Sequence, residues 1–370
     1  MMVFDLVLAT RRARLTGVER FGVRLFEAMR RLRPDTRAFV RSHDGFVDQS
    51  GLIEVNDVFR GWLALPVRAR GAAYGASAII FPTAPASPLF WPSRARLCRI
   101  VHDAFPWTRS NAMPLQGRLL YRDVETLMLG RYDCLLGTTE MVAEELRIVF
   151  KRNDIAPCGN APGLDLEGPQ TPVPGLPARF WLAVGTLEPR KNYERIAEVV
   201  TEEGYDGPPV VIVGKAGWGR VAERIQGAST ASLGRLIWLD ELTDDSALRW
   251  LYRRALGLLS LSLAEGFNMP LVEAASSGAP VLCSDLLIHR RVAPPWANFL
   301  ETQFDRKAFT RALAATERAR PSPEAVEAYS RLYRWEAVAK RVIEFVEADQ
   351  AVPGLSSRDQ PASVGSPRNP

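Results

Sequence analysis

SLAEGFNMPLVEAASSGAPVLCSD, residues 262 to 285, holds a strand end, a loop with one acid, a helix with a second acid, and a turn into another apolar run. Ser260 to Leu263 closes an apolar stretch and Glu265-Gly266-Phe267 makes the loop. Pro270 suits the first turn of the following helix, where its missing N–H is not needed. Gly278-Ala279-Pro280 turns the chain, and Val281-Leu282-Cys283 resumes a buried strand. Strand, loop, helix and strand in that order form the repeating unit of a parallel α/β sheet. Glu265 and Glu273 can therefore face one cleft. Glu265 would lie nearer a sugar and Glu273 nearer ribose hydroxyls, because an ionised carboxylate accepts hydroxyl hydrogen bonds well. The loop and the first backbone amides of the helix also suit phosphate.

The same unit recurs on both sides of this segment. Upstream lie FWLAVGT (180–186), PPVVIVG (208–214), RLIWLD (235–240) and ALGLLSLS (255–262), with a helix at SALRWLYRRA (246–255). Before them EGPQTPVPGLPAR (167–179) is rich in Pro and Gly without periodicity, which reads as a linker. A first series opens with the strand VFDLVLAT (3–10) and a helix over 16–32 that puts Val18, Phe21, Leu25, Phe26 and Met29 on one face. It continues with strands at 76–82, 96–103 and 133–139 and a helix around 140–150. Pro323 to Val346 reads as terminal helices that close the second domain or cross back to the first. The 349–370 tail has little to bury and reads as disordered. The resulting division is 1–166, the 167–179 linker, 180–322, the 323–348 helices and the tail. A chain of 370 residues exceeds the size at which one core stops growing, which agrees with two domains.

VGTLEPRKN (184–192) follows a buried strand and precedes a helix. Gly185 lets the chain turn closely, and Arg190 and Lys191 bring two cations to the carboxyl end of a strand, where open α/β sheets bind ligands. A diphosphate leaving group needs such cations as its charge develops. VVIVGKAGWG (210–219) ends another strand in a Gly-rich turn with Lys215 and Trp218, whereas GxxxxGK[ST] and GxGxxG are absent.

The formal charge of +5 is a mild bias toward anionic partners, and no reading module is interleaved with the basic residues, which argues against nucleic acid. Ten arginines crowd Arg11 to Arg41 against Glu19, Glu27 and Asp35. Such a face is either solvated or suited to an anionic membrane or a pyrophosphate-bearing acceptor. An apolar run precedes the first arginines, the reverse of a signal peptide, and no run approaches twenty apolar residues. The expected location is cytoplasmic, peripheral at the inner face of the membrane. Cys98, Cys134, Cys158 and Cys283 lack CxxC spacing, and with only His43, His102 and His289 beside them a zinc site has little to work with.

These segments together resemble the retaining glycosyltransferases of family 4. The family's E-G-F-G-x-P-x-x-E-A reads here as Glu265-Gly266-Phe267-Asn268-Met269-Pro270-Leu271-Val272-Glu273-Ala274, followed by Gly278-Ala279-Pro280-Val281 and Ser284. Its V-G-x-L-x-P-R-K-N is matched by Val184 to Asn192 and its V-G-K-x-G-W turn by Val213 to Trp218. In the first half Thr16 to Phe21 is similar to T-G-I-x-R-Y, and Val101-His102-Asp103-Ala104-Phe105-Pro106 to V-H-D-hydrophobic-x-P. Thr138 and Thr139 fall at an S-x-x-S-like turn, and Arg334-Trp335 opens a terminal helix, so the likeness runs over about residues 3 to 346.

The resemblance implies the α/β GT-B fold, two Rossmann-like domains facing across a cleft, and an enzyme that moves a hexose from a nucleotide diphosphate sugar with retention. Arg190 and Lys191 would clamp the diphosphate, Glu265 would contact the sugar, and Glu273 would bind ribose. His102 would reach in from the first domain with Asp103 beside it, and Gly17 would sit near the diphosphate or the acceptor mouth. Gly185, Gly266, Phe267 and Asn268 complete the expected donor site. No metal or other cofactor is expected. The leading donor is GDP-mannose, before dTDP-rhamnose, GDP-fucose or a UDP-sugar, and the acceptor a glycan, lipid-linked through pyrophosphate, of surface polysaccharide assembly. A non-catalytic nucleotide-sugar-binding subunit is the alternative. Two departures stand out: Asn268 replaces the family's second Gly, which points to a side-chain contact with the donor, and Ile288-His289-Arg290-Arg291-Val292 replaces L-P-E-V. Arg291 there would add positive charge near the cleft or a membrane-facing edge; His43 and His289 read as surface or structural.

Overall fold

Runs such as Ala-Ile-Ile-Phe and Val-Val-Ile-Val have no polar face to turn toward water, so they are stable only in a parallel sheet covered on both sides. The computed structural model describes residues 1–11, 15–43, 46–55, 75–88, 95–108, 115–240, 242 and 244–348. The tail and Arg12 and Arg14 of the arginine-rich stretch lie outside them. The first sheet comprises β1 (Met2–Asp5), β2 (Arg37–Val40), β3 (Leu52–Glu54), β4 (Ala78–Phe81), β5 (Arg96–Val101), β6 (Cys134–Gly137) and β7 (Ala156–Pro157), in the order 3-2-1-4-5-6-7. The second comprises β8 (Trp181–Val184), β9 (Val210–Val213), β10 (Leu236–Leu239), β11 (Leu258–Ser260), β12 (Val281–Ser284) and β13 (Asn298–Leu300), in the order 10-9-8-11-12-13. Every pairing is parallel, with Val3 opposite Ile79 and Leu258 opposite Leu182 at the two points where the strand order reverses. Two parallel-sheet α/β domains of this kind are the GT-B architecture, and the crevices at such reversals are where ligands bind.

Helix α1 (Gly17–Leu32) starts from a reciprocal cap in which the Thr16 N–H donates to the Glu19 carboxylate at 2.6 Å. Phe21, Leu25, Phe26 and Met29 of its apolar face are buried, but Val18 is 36% exposed, because it lies in the first turn and faces the space between the domains. A continuous helical run spans 115–131, and from Glu140 onward the α-helices of the described residues are α2 (Glu140–Phe150), α3 (Tyr193–Thr201), α4 (Val221–Ala231), α5 (Asp245–Arg254), α6 (Met269–Ser276), α7 (Leu287–Val292), α8 (Arg306–Arg318), α9 (Pro323–Ser330) and α10 (Trp335–Ala348).

Differences from the sequence reading have local causes. β1 ends at Asp5 rather than Thr10, because the Asp5 carboxylate accepts the Val7 N–H at 3.2 Å and the Thr10 N–H turns back to Leu6 O at 3.0 Å. β2, β3, β7 and β13 have no counterpart in that reading; they are short, and three of them are sheet edges. α10 returns to the first domain and packs along α1, where Trp335 meets Phe21 edge-on at 5.2 Å. That docking also engages the arginine-rich stretch: Arg31 pairs with Glu336 at 2.9 Å, Arg33 with Glu347, and Arg20 with Asp245 of α5 at 2.5 Å. The proline-rich 165–171 segment lies on α5, whose Arg249 donates to Pro169 O at 2.6 Å and Asp165 O at 2.8 Å. All four cysteines are buried free thiols, with Cys98 opposite Cys134 across β5 and β6. Among the described residues no group of three or more His, Cys, Asp or Glu could hold a metal ion, and no helix is long and apolar enough to cross a membrane.

The carboxyl ends of the paired strands β8 and β9 bring two backbones into contact. A Cβ on Gly214 would lie 1.9 Å from the Gly185 carbonyl oxygen, whereas one on Gly227, inside α4, would meet nothing within 4 Å. Gly214→Ala is expected to lower stability by about 3 kcal/mol or more, and Gly227→Ala to raise it by roughly 0.5–1 kcal/mol, both read as denaturation midpoints. Asp5 gives a pH signature. Burial raises its pKa to about 7, the Val7 N–H opposing only in part. A carboxyl whose folded value exceeds its unfolded one stabilises fully below the unfolded value, and that stability is lost as pH rises through the folded one. Asp5→Asn should match the wild type near pH 4 and exceed it at pH 8.

Candidate functional site

The loops that follow β8 and β11 meet at the carboxyl end of the second sheet. Gly185 leaves β8 at φ +146°, and a Cβ there would crowd the Tyr193 hydroxyl at 3.0 Å and Lys191 at 3.3 Å. The chain then makes one tight turn, Pro189–Lys191, that aims both cations inward. The Leu263 N–H donates to Arg190 O at 2.7 Å and ties the two loops together.

Glu265 lies between the cations. Its Oε2 is 2.6 Å from Arg190 and its Oε1 2.6 Å from Lys191, and the Ser262 hydroxyl donates to Oε1 at 2.7 Å. Arg190 also holds Glu188 at 2.6 Å. The Glu265 side chain is 5% exposed. Burial pushes its carboxyl up, but the opposing pull of Lys191 and Arg190 outweighs this and leaves it well below the usual carboxylate range. Burial works against the charge of Arg190 in turn, and Glu265 and Glu188 restore it.

Glu273 has partners that its sequence position did not disclose. Its Oε1 accepts the N–H groups of Gly163 and Leu164 at 2.9 and 3.0 Å, and its Oε2 accepts the Tyr252 hydroxyl at 2.8 Å. Gly163 and Leu164 lie on the segment that joins the two sheets, so this carboxylate bridges the domain crossing to α6 and α5.

From the first domain, His102 follows β5 and its Nε2 is 2.7 Å from Pro82 O. A carbonyl only accepts, so Nε2 carries the proton and Nδ1 is bare. Burial pushes the imidazole down to about 4, the Pro82 contact opposing, so His102 is neutral near pH 7. The Asp103 carboxylate accepts the Phe105 N–H at 3.1 Å, and burial raises its pKa against the attraction of Arg190.

A cleft cavity of about 690 Å³ brings together Gly17, His102, Gly185, Arg190, Lys191, Glu265, Gly266, Phe267 and Asn268. Glu273 lines a smaller adjoining cavity of about 140 Å³ with Gly214, Asp244 and Asp245, which Gly17 and Gly185 also border. A third, of about 310 Å³, opens on the first-domain side. It shares Glu19, His102, Asp103, Tyr121, Glu188, Arg190 and Trp218 with the first and adds Arg99, Trp107 and Glu125. Gly266 approaches the first domain so closely that a Cβ would lie 2.3 Å from His102 O, and its own carbonyl accepts the Thr139 hydroxyl at 3.2 Å. The Phe267 ring turns into the core against Tyr333 at 5.7 Å.

One expectation fails outright: Asn268 does not offer its side chain to a donor, because its amide nitrogen donates inward to Ser260 Oγ at 2.6 Å and His289 Nε2 at 2.8 Å. Of the two places expected for Arg291, the cleft is excluded, since it is exposed on α7 and borders none of the three cavities. His289 is wholly buried, the structural one of its two readings. Sequence reasoning also passed over Glu188, Tyr252 and the Arg20–Asp245 pair. Only Glu188 had a local signal, two residues before Arg190.

Residues 174–333 match the family model for Glycosyl transferases group 1. The chain is 28% identical over 223 residues to the serotype-specific mannosyltransferase WbdA of Escherichia coli, covering 53% of this chain and 27% of that protein. It is 32% identical over 111 residues to the E. coli O-antigen chain mannosyltransferase B, 29% of each. The chain thus spans less than a third of the curated relatives it matches. Among solved structures, sucrose-phosphate synthase from Thermosynechococcus elongatus superposes with a TM-score of 0.73 at 19% identity, over 95% of this chain and 99% of that one.

Removing the charge of Glu265 leaves Arg190 and Lys191 facing each other. Glu265→Gln is expected to cost roughly 3 kcal/mol of stability in plain buffer. Inorganic pyrophosphate should raise its thermal midpoint by more than it raises that of the wild type; equal shifts would mean that the two cations do not face an anion site.

Proposed function

With residues 174–333 belonging to the Glycosyl transferases group 1 family, we propose that this chain is a retaining hexosyltransferase whose donor is GDP-mannose and whose acceptor is a glycan carried on a lipid. The observation that carries the reading is the Arg190–Glu265–Lys191 cluster. It puts two cations and one carboxylate at the switch point of the nucleotide-side sheet, in a cavity that faces a second cavity across the cleft.

In this reading the nucleoside occupies the small cavity, with its ribose toward Glu273 and its base toward Asp244 and Asp245. Two carboxylates suit guanine, whose N1–H and N2–H₂ edge donates, better than uracil. The diphosphate lies against Arg190 and Lys191, which stabilise the charge that grows as the bond to the anomeric carbon breaks. The acceptor hydroxyl attacks from the face the diphosphate leaves, and a leaving-group phosphate oxygen takes its proton. Neutral His102 offers its bare Nδ1 as a hydrogen-bond acceptor and supplies no proton. Glu265, held between two cations, orients them and is not the nucleophile.

The first-domain cavity is the acceptor side. Trp107, Tyr121 and Trp218 give flat faces for a sugar ring, and Glu19, Asp103 and Glu188 give acceptors for its hydroxyls. The names of the curated relatives support mannose and O-antigen assembly; a lipid carrier and peripheral contact with an anionic membrane at the cytoplasmic face are part of the same proposal.

The test is calorimetric titration with GDP, UDP and dTDP. GDP should bind most tightly, and Arg190→Ala should weaken it roughly 10- to 100-fold, as befits loss of a charge-assisted contact. Glu273→Ala should weaken it as well, and should also free the Gly163 and Leu164 amides and so loosen the domain crossing. Preference for UDP or dTDP would replace the donor, and no binding to any would favour a non-catalytic scaffold.

A further inference from the structure

The donor-side loop, Glu265 to Asn268, is closed at its back by a ring of hydrogen bonds. The Glu265 carboxylate accepts the Ser262 hydroxyl at 2.7 Å, Ser262 O accepts the Ser284 hydroxyl at 2.5 Å, Ser284 O contacts His289 Nδ1 at 2.9 Å, and His289 Nε2 contacts the Asn268 amide nitrogen at 2.8 Å. Proton bookkeeping permits one arrangement. Ser284 O only accepts, so Nδ1 carries the imidazole proton. The ring's Nε2 is then bare and must receive an N–H, which the Asn268 amide supplies while its second N–H goes to Ser260 Oγ. The ring joins the two ends of one four-residue loop through β11, β12 and α7.

Asn268 needs this support. Its φ is +78°, a conformation natural to Gly and tolerated by Asn at some cost, and its side chain is buried. The two features that depart from the family pattern, Asn268 and the His289 stretch, therefore form one unit: the first fills the glycine position and the second accepts one N–H of the amide that results. Gly266 and Phe267 lie between the anchored ends, with Gly266 against the first domain at His102 O and Thr139.

We propose that His289 is a positioning residue of the sugar-transfer site, which acts through Asn268 to fix the Gly266–Asn268 end of the loop beside the carboxylate that Arg190, Lys191 and Ser262 hold directly. This inference rests on the function proposed above. It assigns to a buried histidine, which touches no substrate, control over how the donor sugar is presented rather than over how the nucleotide is held.

A double-mutant cycle tests it with four proteins: wild type, H289L, N268G and the double variant. Donor-sugar turnover, as transfer or as hydrolysis of the nucleotide sugar, should fall more than tenfold in H289L, while nucleoside diphosphate affinity by calorimetry stays within threefold. In the N268G background, where no amide seeks a partner, adding H289L should cost less than threefold. H289Q, whose side-chain oxygen can receive the Asn268 N–H in place of Nε2, should retain turnover within fivefold and guards against a general folding defect. Equal fold-losses in both backgrounds, or a fall in nucleotide affinity as large as the fall in turnover, would overturn the proposal and leave His289 an ordinary core residue. If the wild type itself neither binds nucleoside diphosphates nor turns over a nucleotide sugar, the functional reading is what fails. Thermal midpoints of the same four proteins then still decide the Asn268–His289 coupling by their non-additivity, additive shifts overturning it.

Discussion

A carboxylate at 5% exposure survives as an anion only because two cations close on it, and that constraint organises the second domain. Glu265 cannot shed its charge while Arg190 and Lys191 are within hydrogen-bond reach, and neither cation is comfortable there without Glu265. The triad therefore fixes the separation of the loops after β8 and β11, at the point where the strand order reverses. A buried ion pair is weak evidence of stability in general, since desolvation opposes the attraction. Its value here is geometric: the carboxylate holds both cations in the cleft and keeps them from folding away onto solvent.

The second constraint is on the crossing between domains. Glu273 receives two backbone N–H groups from Gly163 and Leu164, Trp335 donates to Pro162 O at 2.7 Å, and Arg20 clamps Asp245. These contacts gather at the hinge side of the cleft, with α10 lying along α1. An apolar seam accompanies these polar contacts, because Val338, Ala339, Val342, Ile343 and Val346 of α10 are buried in a core that also holds Phe21, Leu25 and Met29 of α1 and Leu271 and Val272 of α6. Glu273 belongs both to this crossing and to the wall of the small cavity. A ligand that draws on its carboxylate competes directly with the crossing segment, which couples occupancy of the cavity to the arrangement of the domains through one side chain.

Much of this is legible in the chain. Strands buried on both faces announce themselves as continuous apolar runs, and the central ones, β1, β4 to β6, β8, β9, β11 and β12, are readable for that reason. β2, β3, β7 and β13 are two to four residues long and carry too little pattern. Arg190, Lys191, Glu265, His102 and Gly17 converge on one cavity because loops at the carboxyl ends of parallel strands must converge, and that follows from topology alone. What the sequence does not disclose is the set of partners fixed by tertiary geometry. The hydroxyl and amides on Glu273 come from 21 and about 110 residues away, and Arg20 and Arg31 of α1 find acids on helices more than 200 residues distant. Asn268 differs between sequence and structure for a related reason: at a glycine position the side chain of a left-handed residue leaves the loop on the side away from the cavity, and only the packed structure reveals that His289 waits there.

The electrostatics of the cleft divide the chemistry between the domains. On the second domain the two cations, Arg190 and Lys191, are met by two carboxylates, Glu265 and Glu188. On the first domain the groups turned toward the cleft are a neutral imidazole and the carboxyl of Asp103, and the one buried guanidinium, Arg99, is already engaged by Glu125 at 2.8 Å. That wall offers aromatic faces and hydrogen-bond acceptors, which suit hydroxyl groups, and the cation it shares with the loops of the second domain is Arg190.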